Sequence, residues 1–257
     1  MKSISAELTE AREILSDRLP GEIRLDDDIK HPAPLLQINI QNATYDVAHR
    51  QGIITVAGPP KSSKSSFLQH VVAELATHNG RNYGFRGDKC KVLYVDTEQS
   101  HVHLHKAQRR MASFNTYPDS YYLDSCRYVS WMADTVQERK KRLAEITDMH
   151  DFNVIVLDGA LDFVTNMNDS DEVDSTIKFL MEIANKTNGL VITVVHTDKQ
   201  GVGLIGHLGQ YLRRKSETII TIKRDGREHR LLSFECRNAA IPDLIYSYEK
   251  GITSSTE

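Results

Sequence analysis

One stretch of the sequence changes its pattern of apolar residues twice, from that of a strand to a turn and from the turn to that of a helix. Residues 53–57 form an apolar run of strand length, and from Phe67 onward apolar residues recur at helical spacing. Between them lies the turn Gly58-Pro59-Pro60-Lys61-Ser62-Ser63-Lys64-Ser65-Ser66. A strand that passes through such a turn into a helix presents the free N–H groups of the helix start at the strand's end. The stretch therefore predicts an α/β fold with an anion-binding turn.

The turn, which we call the phosphate loop (residues 58–66), matches the pattern G-x-x-x-x-G-K-[ST] except at Ser63, which replaces the second glycine. Gly58 opens the pattern. We predict that these nine residues form the phosphate site through the backbone N–H groups of the loop, that Lys64 neutralises the β- and γ-phosphates, and that Ser65 binds Mg²⁺. A left-handed backbone at Ser63 would cost on the order of 1 kcal/mol. The alternative, a serine-rich turn with a chance lysine, explains the strand–loop–helix context less well.

The rest of the chain alternates apolar runs with helical segments, which is typical of βαβ units around a parallel sheet. We predict a possible first strand at 35–40, then strands at 53–57, 92–96, 154–158, 190–195, 218–223 and 231–235, and helices at 65–78, 100–114, 134–150 and 169–188. The predicted fold is a RecA-like α/β phosphate-loop core with a mainly parallel central sheet, flanking helices and a C-terminal β-hairpin that turns at 224–227.

Helix starts and domain limits complete this outline. Capping-box variants at Asp134 and Asp169 indicate the starts of the last two helices. We predict an N-terminal helix (4–19) and arm within residues 1–34, a core domain over 35–250, and a flexible tail over 251–257. Three glycines suit residues 198–207 to a mobile segment, although a simple flexible connection explains them equally well.

Polar residues stand at or just after the ends of three predicted strands. Asp158 ends one strand, His196 follows another, and Glu98 comes two residues after a third. In an open parallel sheet, ligands bind at the carboxyl ends of strands. We predict that Asp158 holds Mg²⁺, that Glu98 is the general base for an attacking water, and that His196 senses the γ-phosphate. Either acid alone would more often be a cap or a turn residue, but two in this order favour a site.

The order of these motifs resembles the RecA-like superfamily, near the hexameric replicative helicases of the RepA and DnaB kind, over about residues 35–250. The turns that carry the resemblance are Gly58 to Ser65, Tyr94-Val-Asp-Thr-Glu-Gln-Ser100, Val156-Leu-Asp-Gly159, His196 with Lys199, and Gly206-His-Leu-Gly209. They are similar to turns in RepA-like ATPases of plasmids and integrated mobile elements, which often lack the second loop glycine.

The resemblance implies an ATPase that uses Mg²⁺ and forms a homo-oligomeric ring, hexameric in the helicases, with ATP sites between subunits. Arg237 matches the arginine finger that acts on a neighbour's nucleotide. The implied partner is single-stranded DNA, in replication or transfer of a mobile element. Glu235 departs from the lysine of DnaB-like enzymes.

Two other functions stay open at this point. One is a non-motor, nucleotide-switched binding module whose N-terminal arm docks a primase or relaxase. The other is a small-molecule kinase, for which no lid with clustered arginines is evident.

Composition excludes several classes of protein. No apolar run approaches the roughly 20 residues of a membrane helix, and polar residues begin at once, so we expect a cytoplasmic protein. Three widely spaced cysteines favour neither a disulfide framework nor a zinc site, and the alternating His101, His103 and His105 lack partner ligands. The net charge of −3 gives no global attraction to DNA; basic runs at 106–110, 139–142 and 213–215 fit solvated helix faces.

Overall fold

The computed structural model describes residues 22–23, 27–28, 33–40, 42–77, 83–113, 125–198 and 203–254. Residues Ala33–Glu257 form one compact unit, which contains all the described helices and strands. The predicted N-terminal helix over 4–19 lies outside the described residues.

The described strands alternate with helices from the phosphate loop onward. The strands are β1 Pro34–Ile40, β2 Ala43–His49, β3 Gly52–Gly58, β4 Phe85–Gly87, β5 Val92–Asp96, β6 Cys126–Ser130, β7 Val154–Asp158, β8 Leu190–His196, β9 Thr218–Asp225, β10 His229–Cys236, β11 Leu244–Ser247 and β12 Gly251–Ser254. The helices are α1 Lys64–Thr77, α2 His101–Ala112, α3 Val136–Met149, α4 Ser170–Lys186 and α5 Gly206–Lys215, with a 3₁₀ helix at Ala160–Phe163.

A nine-stranded sheet in the order β12-β11-β10-β9-β3-β8-β7-β5-β6 forms the centre of the molecule. The strands from β9 to β6 in this order are parallel, and β10 to β12 extend the β9 side by antiparallel pairing. β5 and β7 are buried at every residue, because helices cover both faces of a parallel sheet. The predicted α/β class, with its mainly parallel sheet and C-terminal hairpin, is confirmed.

Two hydrophobic clusters cover the two faces of this sheet. Successive residues of β3 pack into different clusters, because side chains alternate between the two faces of a sheet. Ile54 packs in one cluster with Phe67 of α1, and Ile53 packs in the other with Ile177 of α4. The second, three-stranded sheet, β2-β1-β4, packs on the α1 side through residues such as Leu36. The clusters hold β3 rigidly where it enters the phosphate loop.

Several strands, among them β2, β4, β6 and β11, were not predicted. β4 has three residues, β6 is the edge strand of the large sheet, and β2 carries an irregular burial pattern. None presents the long apolar run that identifies a buried strand. Part of the segment interpreted as a glycine-rich loop is also helical, because α5 begins at Gly206.

The predicted caps need two corrections. The N-cap of α3 is Thr135 rather than Asp134, and the capping box joins Thr135 to Glu138, with the carboxylate accepting the Thr135 N–H at 2.8 Å. Asp169 does cap α4, but Glu172 accepts the N–H groups of Thr165 and Asn166 instead of completing a box.

The C-terminal segment also differs from its prediction. Residues 251–254 form β12 and pair with β11, whereas we predicted a flexible tail from 251 onward. The reason is local: Ile252 packs into the core with 8% of its surface exposed, and its N–H donates to the Tyr83 carbonyl at 2.8 Å. Residues 255–257 lie outside the described residues.

Candidate nucleotide-binding site

The phosphate loop connects the end of β3 to the start of α1 by a tightly packed turn. A Cβ on Gly58 would lie 2.4 Å from the Ile222 carbonyl oxygen and 2.6 Å from Ser62 Oγ, so only glycine fits there. Ser63 has a left-handed backbone with φ of 73°, and Lys61 has φ of 63°. Each such residue costs on the order of 1–3 kcal/mol, which the surrounding packing has to offset.

The Lys64 side chain folds back over the loop. Its Nζ donates to the carbonyl oxygens of Gly58 at 2.9 Å and Pro59 at 3.1 Å, and lies 3.3 Å from His196 Nδ1. Burial lowers the pKa of Lys64, while the nearby carboxylates of Asp158 and Glu98 act in the opposite direction. The ammonium group is therefore held at the loop by carbonyl dipoles and by two acids.

Asp158, at the end of β7, is joined to the start of α1. Its Oδ2 accepts hydrogen bonds from Ser65 Oγ at 2.9 Å and from Tyr94 Oη at 2.6 Å. Burial raises the pKa of Asp158, which is only 8% exposed, and the two hydroxyl donors partly counter this effect.

The Ser65 hydroxyl and the Asp158 carboxylate supply the oxygen ligands that Mg²⁺ prefers. Within the described residues, no group of three His, Cys, Asp or Glu side chains could hold a metal ion alone. The chemistry of this pair fits Mg²⁺, which usually takes one or two protein ligands together with water and substrate phosphates.

Glu98 faces the same cavity from the turn after β5. Its Oε1 lies 3.4 Å from His196 Nε2, so that His196 bridges Glu98 and Lys64. Asp96 fixes this turn: its Oδ1 accepts the N–H groups of Glu98 at 2.9 Å and Gln99 at 2.7 Å. Burial raises the pKa of Asp96 to about 6, although these two N–H groups act to lower it. The Glu98 carboxylate itself is 56% exposed and open to water.

These residues surround one cavity of about 310 Å³. It is lined by Lys61, Ser62, Ser63, Lys64, Ser65, Ser66, Glu98, Asp158, Gly159, Leu161, Val194 and His196. Gly58, Pro59 and Pro60 belong to the predicted phosphate-binding set but do not line it. Every other predicted site residue except Arg237 is brought together here.

Arg237 lies at the opposite edge of the sheet. It follows Cys236, which pairs with Thr218 at the start of β9, whereas the phosphate loop lies at the carboxyl ends of the parallel strands. The Arg237 guanidinium donates to the Arg214 carbonyl, and its backbone N–H donates to the Glu217 carbonyl at 3.0 Å. Arg237 therefore makes no contact with the phosphate loop of its own chain.

Sequence reasoning missed several residues at this site, including Leu161 and Val194 of the lining and two polar residues that hydrogen-bond to the site. Tyr94 donates to Asp158, and a polar hydroxyl inside the apolar run 92–96 was the available signal. Arg230 of β10 donates from Nε to Ser63 Oγ at 3.0 Å. No local pattern indicates this contact, because it depends on how the β9–β10 hairpin packs beside the loop.

A comparison with family models identifies the family of this chain. The model described as AAA domain matches residues 22–202, more than two thirds of the chain. The chain belongs to the AAA domain family.

The matched part of the AAA domain includes the phosphate loop, Glu98, Asp158 and His196, and it ends before Arg230 and Arg237. This is a P-loop ATPase family that includes RecA-like and helicase-like members, so the protein is a nucleotide-binding ATPase. Such domains usually use Mg²⁺. No curated protein matches the sequence. Among the described helices, none is both long and apolar enough to cross a membrane.

Proposed function

We propose that this AAA domain hydrolyses MgATP in the cavity beside the phosphate loop and uses the turnover to act on single-stranded DNA, in replication or transfer of a mobile element. The observation that carries the hydrolytic part is the convergence of three groups on one cavity. These are the Lys64 ammonium, the Ser65–Asp158 oxygen pair and the exposed Glu98 carboxylate.

Each residue has a defined task in this proposal. Lys64 moves from the Gly58 and Pro59 carbonyl oxygens to the β- and γ-phosphates, and Ser65 with Asp158 holds Mg²⁺. When bound, Mg²⁺ supplies positive charge beside the phosphate oxygens.

Glu98 accepts the proton of the attacking water, because its carboxylate faces the cavity and is anchored through the turn that Asp96 holds. His196 contacts both Lys64 and Glu98, so loss of the γ-phosphate changes the environment of each of its ring nitrogens.

The ring arrangement is supported by what the cavity lacks. Within the described residues, no arginine lines it. Phosphoryl transfer of this kind commonly uses an arginine finger on the developing charge, supplied in the same chain or by a partner. Arg237 is exposed at the far edge of the sheet, beside the basic last turn of α5, Arg213-Arg-Lys215. A neighbouring copy in a homo-oligomeric ring would therefore supply Arg237 to the site, and the basic turn would lie close to the same interface.

A second function, a nucleotide-switched module that docks a primase or relaxase without acting as a motor, is favoured by one observation. Glu235, which replaces the lysine of the DnaB-like pattern, forms an ion pair with Arg213 at 2.9 Å. This contact neutralises part of the basic turn that would otherwise attract DNA. The two functions differ in whether turnover occurs and whether DNA stimulates it.

The deciding experiment measures ATP turnover with and without single-stranded DNA, together with mass in solution. We expect DNA-stimulated turnover by the wild type. Lys64→Ala should lose turnover with weakened ATP binding, and Glu98→Gln should keep binding while kcat falls about 10²–10⁴-fold.

The matched controls are Lys91→Ala and Glu145→Gln, two exposed residues far from the cavity, which should keep wild-type turnover. Wild-type turnover no higher than that of Lys64→Ala, with or without DNA, would contradict the motor proposal. A shift of mass on ATP binding without turnover would identify the switched module instead.

A further inference from the structure

Ser63 uses its side chain as well as its backbone. The residue stands where the phosphate-loop pattern has glycine, and its φ of 73° is the backbone conformation that glycine adopts without strain. Its carbonyl oxygen accepts the Phe67 N–H at 3.0 Å, in the first turn of α1. Its hydroxyl points the other way and accepts a hydrogen bond from Arg230 Nε at 3.0 Å. A glycine could make the first contact but not the second.

Arg230 is itself fixed by the hairpin on which it stands. Its Nη1 donates to the carbonyl oxygens of His229 at 2.6 Å and Arg227 at 3.2 Å, so the guanidinium is tied across the turn between β9 and β10. Arg230 also pairs in the sheet with Arg224 of β9 and Tyr246 of β11. Both the backbone and the guanidinium of Arg230 are therefore held in place where Nε donates to Ser63.

The same hairpin contacts the phosphate loop at its other end. Gly58 lies so close to the Ile222 carbonyl of β9 that no side chain fits between them. The first residue of the loop and the residue before Lys64 are thus both held by the β9–β10 hairpin, the former by close packing and the latter by the hydrogen bond from Arg230.

We propose that Arg230 is a positioning residue for the phosphate loop: through the Ser63 hydroxyl it holds the left-handed turn in the conformation that binds phosphate. The serine and the arginine act as a pair that does the work of the missing glycine. A glycine loop reaches this backbone conformation freely, whereas the serine loop keeps it only while Arg230 is bonded to the hydroxyl. This inference rests on the proposed nucleotide binding at the loop.

The test is a double-mutant cycle read by MgADP binding in calorimetry and by KM and kcat for ATP. Arg230→Ala in the wild-type background should weaken MgADP binding about tenfold and raise KM while leaving kcat nearly unchanged. In the Ser63→Gly background, Arg230→Ala should have little further effect on either quantity, because the loop no longer needs the hydrogen bond. Arg224→Ala removes the same charge from the facing strand position and should match the wild type.

Three outcomes would overturn the inference. Equal weakening of MgADP binding by Arg230→Ala in both backgrounds would mean that Arg230 contacts the nucleotide directly. Unchanged binding in the wild-type background would remove the positioning role, as would an equal loss on Arg224→Ala, which indicates a general charge effect. Failure of the wild type itself to bind MgADP or MgATP would overturn the proposed function as well, and it is visible before any variant is made.

Discussion

Charged side chains differ in burial between the two edges of the central sheet, the carboxyl edge where the parallel strands end and the opposite edge where they begin. At the carboxyl edge, Lys64, Asp158 and Asp96 are buried, and burial is the largest cause of the shift in each pKa. At the opposite edge, Arg213 and Glu235 form an ion pair with more than half of each side chain exposed. The charges of Lys64, Asp158 and Asp96 are thus desolvated, whereas those of Arg213 and Glu235 remain in water.

The difference indicates what each edge is suited to. Desolvated groups interact strongly with a ligand that carries charge, but they cost folding free energy. Exposed groups cost little and can exchange one partner for another. The carboxyl edge is therefore suited to binding a charged ligand, and the opposite edge, where Arg237 lies, to contacts with another molecule.

The sharpest test of this division mixes two defective proteins. Arg237→Ala should lower turnover by about 10³-fold or more, as loss of an arginine finger does, and Lys64→Ala should also be inactive. If Arg237 acts on a neighbour, an equimolar mixture should recover about a quarter of wild-type turnover, since random assembly gives that share of intact interfaces. Steady-state phosphate release measures the recovery.

The control for this mixture replaces Lys64→Ala with the double variant Lys64→Ala/Arg237→Ala, which cannot supply a working arginine and should give no recovery. Absence of recovery in the first mixture, with mixed oligomers present, would contradict the division between the two edges.

Burial at the carboxyl edge also predicts how stability depends on pH. The pKa of Asp96 is about 6 in the folded protein and 3.8 as its ordinary value, so between about pH 4 and 6 the folded state keeps a proton that the unfolded state has lost. This contribution is present in full below pH 4 and disappears as pH rises through 6. The free energy of unfolding of the wild type, relative to Asp96→Asn, should therefore fall by up to about 3 kcal/mol across this window.

Urea unfolding at a series of pH values measures this difference. Asp151→Asn serves as the comparison, because Asp151 is a carboxylate hydrogen-bonded to Lys91 on the surface and its pKa is lowered by that bond. The Asp151 variant should keep the wild-type slope between pH 4 and 6. If the difference in the free energy of unfolding between wild type and Asp96→Asn did not change with pH, ionisation of Asp96 would cost the folded state no free energy.

The smallest effect is expected at the opposite edge. Glu235→Gln breaks the exposed ion pair with Arg213 and should change the free energy of unfolding by about 0–1 kcal/mol, with the change shrinking as salt is added. The same urea experiment at low and high salt checks this. A loss of several kcal/mol, insensitive to salt, would mean that this edge is as tightly built as the carboxyl edge.

The sequence was sufficient for the parts of the fold whose signal is local. The strands that became β5 and β7 are continuous apolar runs, and their predicted limits match the structure. The phosphate-loop pattern placed Lys64, and the strand ends placed Asp158 and His196 beside it, because parallel strands bring their carboxyl ends together.

Features that depend on distant packing could not be predicted in this way. β12 depends on the packing of Ile252 in the core and on its hydrogen bond to Tyr83. β6 pairs with β5 at a sheet edge without an apolar pattern of its own. The contact between Arg230 and Ser63 joins residues separated by 167 positions, so neither residue's neighbours in the sequence indicate it.

The strand β10 gives this contact a wider consequence. Arg230 lies near its start and Arg237 just beyond its end, and at about 3.4 Å per residue these arginines stand about 24 Å apart along one strand. Because β10 is hydrogen-bonded to β9 along its full length, it is a rigid element rather than a flexible connection. In the proposed ring, one end of β10 would contact the phosphate loop of its own subunit, and the other end would reach the nucleotide site of the next subunit. A tilt of β10 on phosphate release in one subunit would then shift Arg237 in the neighbouring site and so couple hydrolysis in the two subunits.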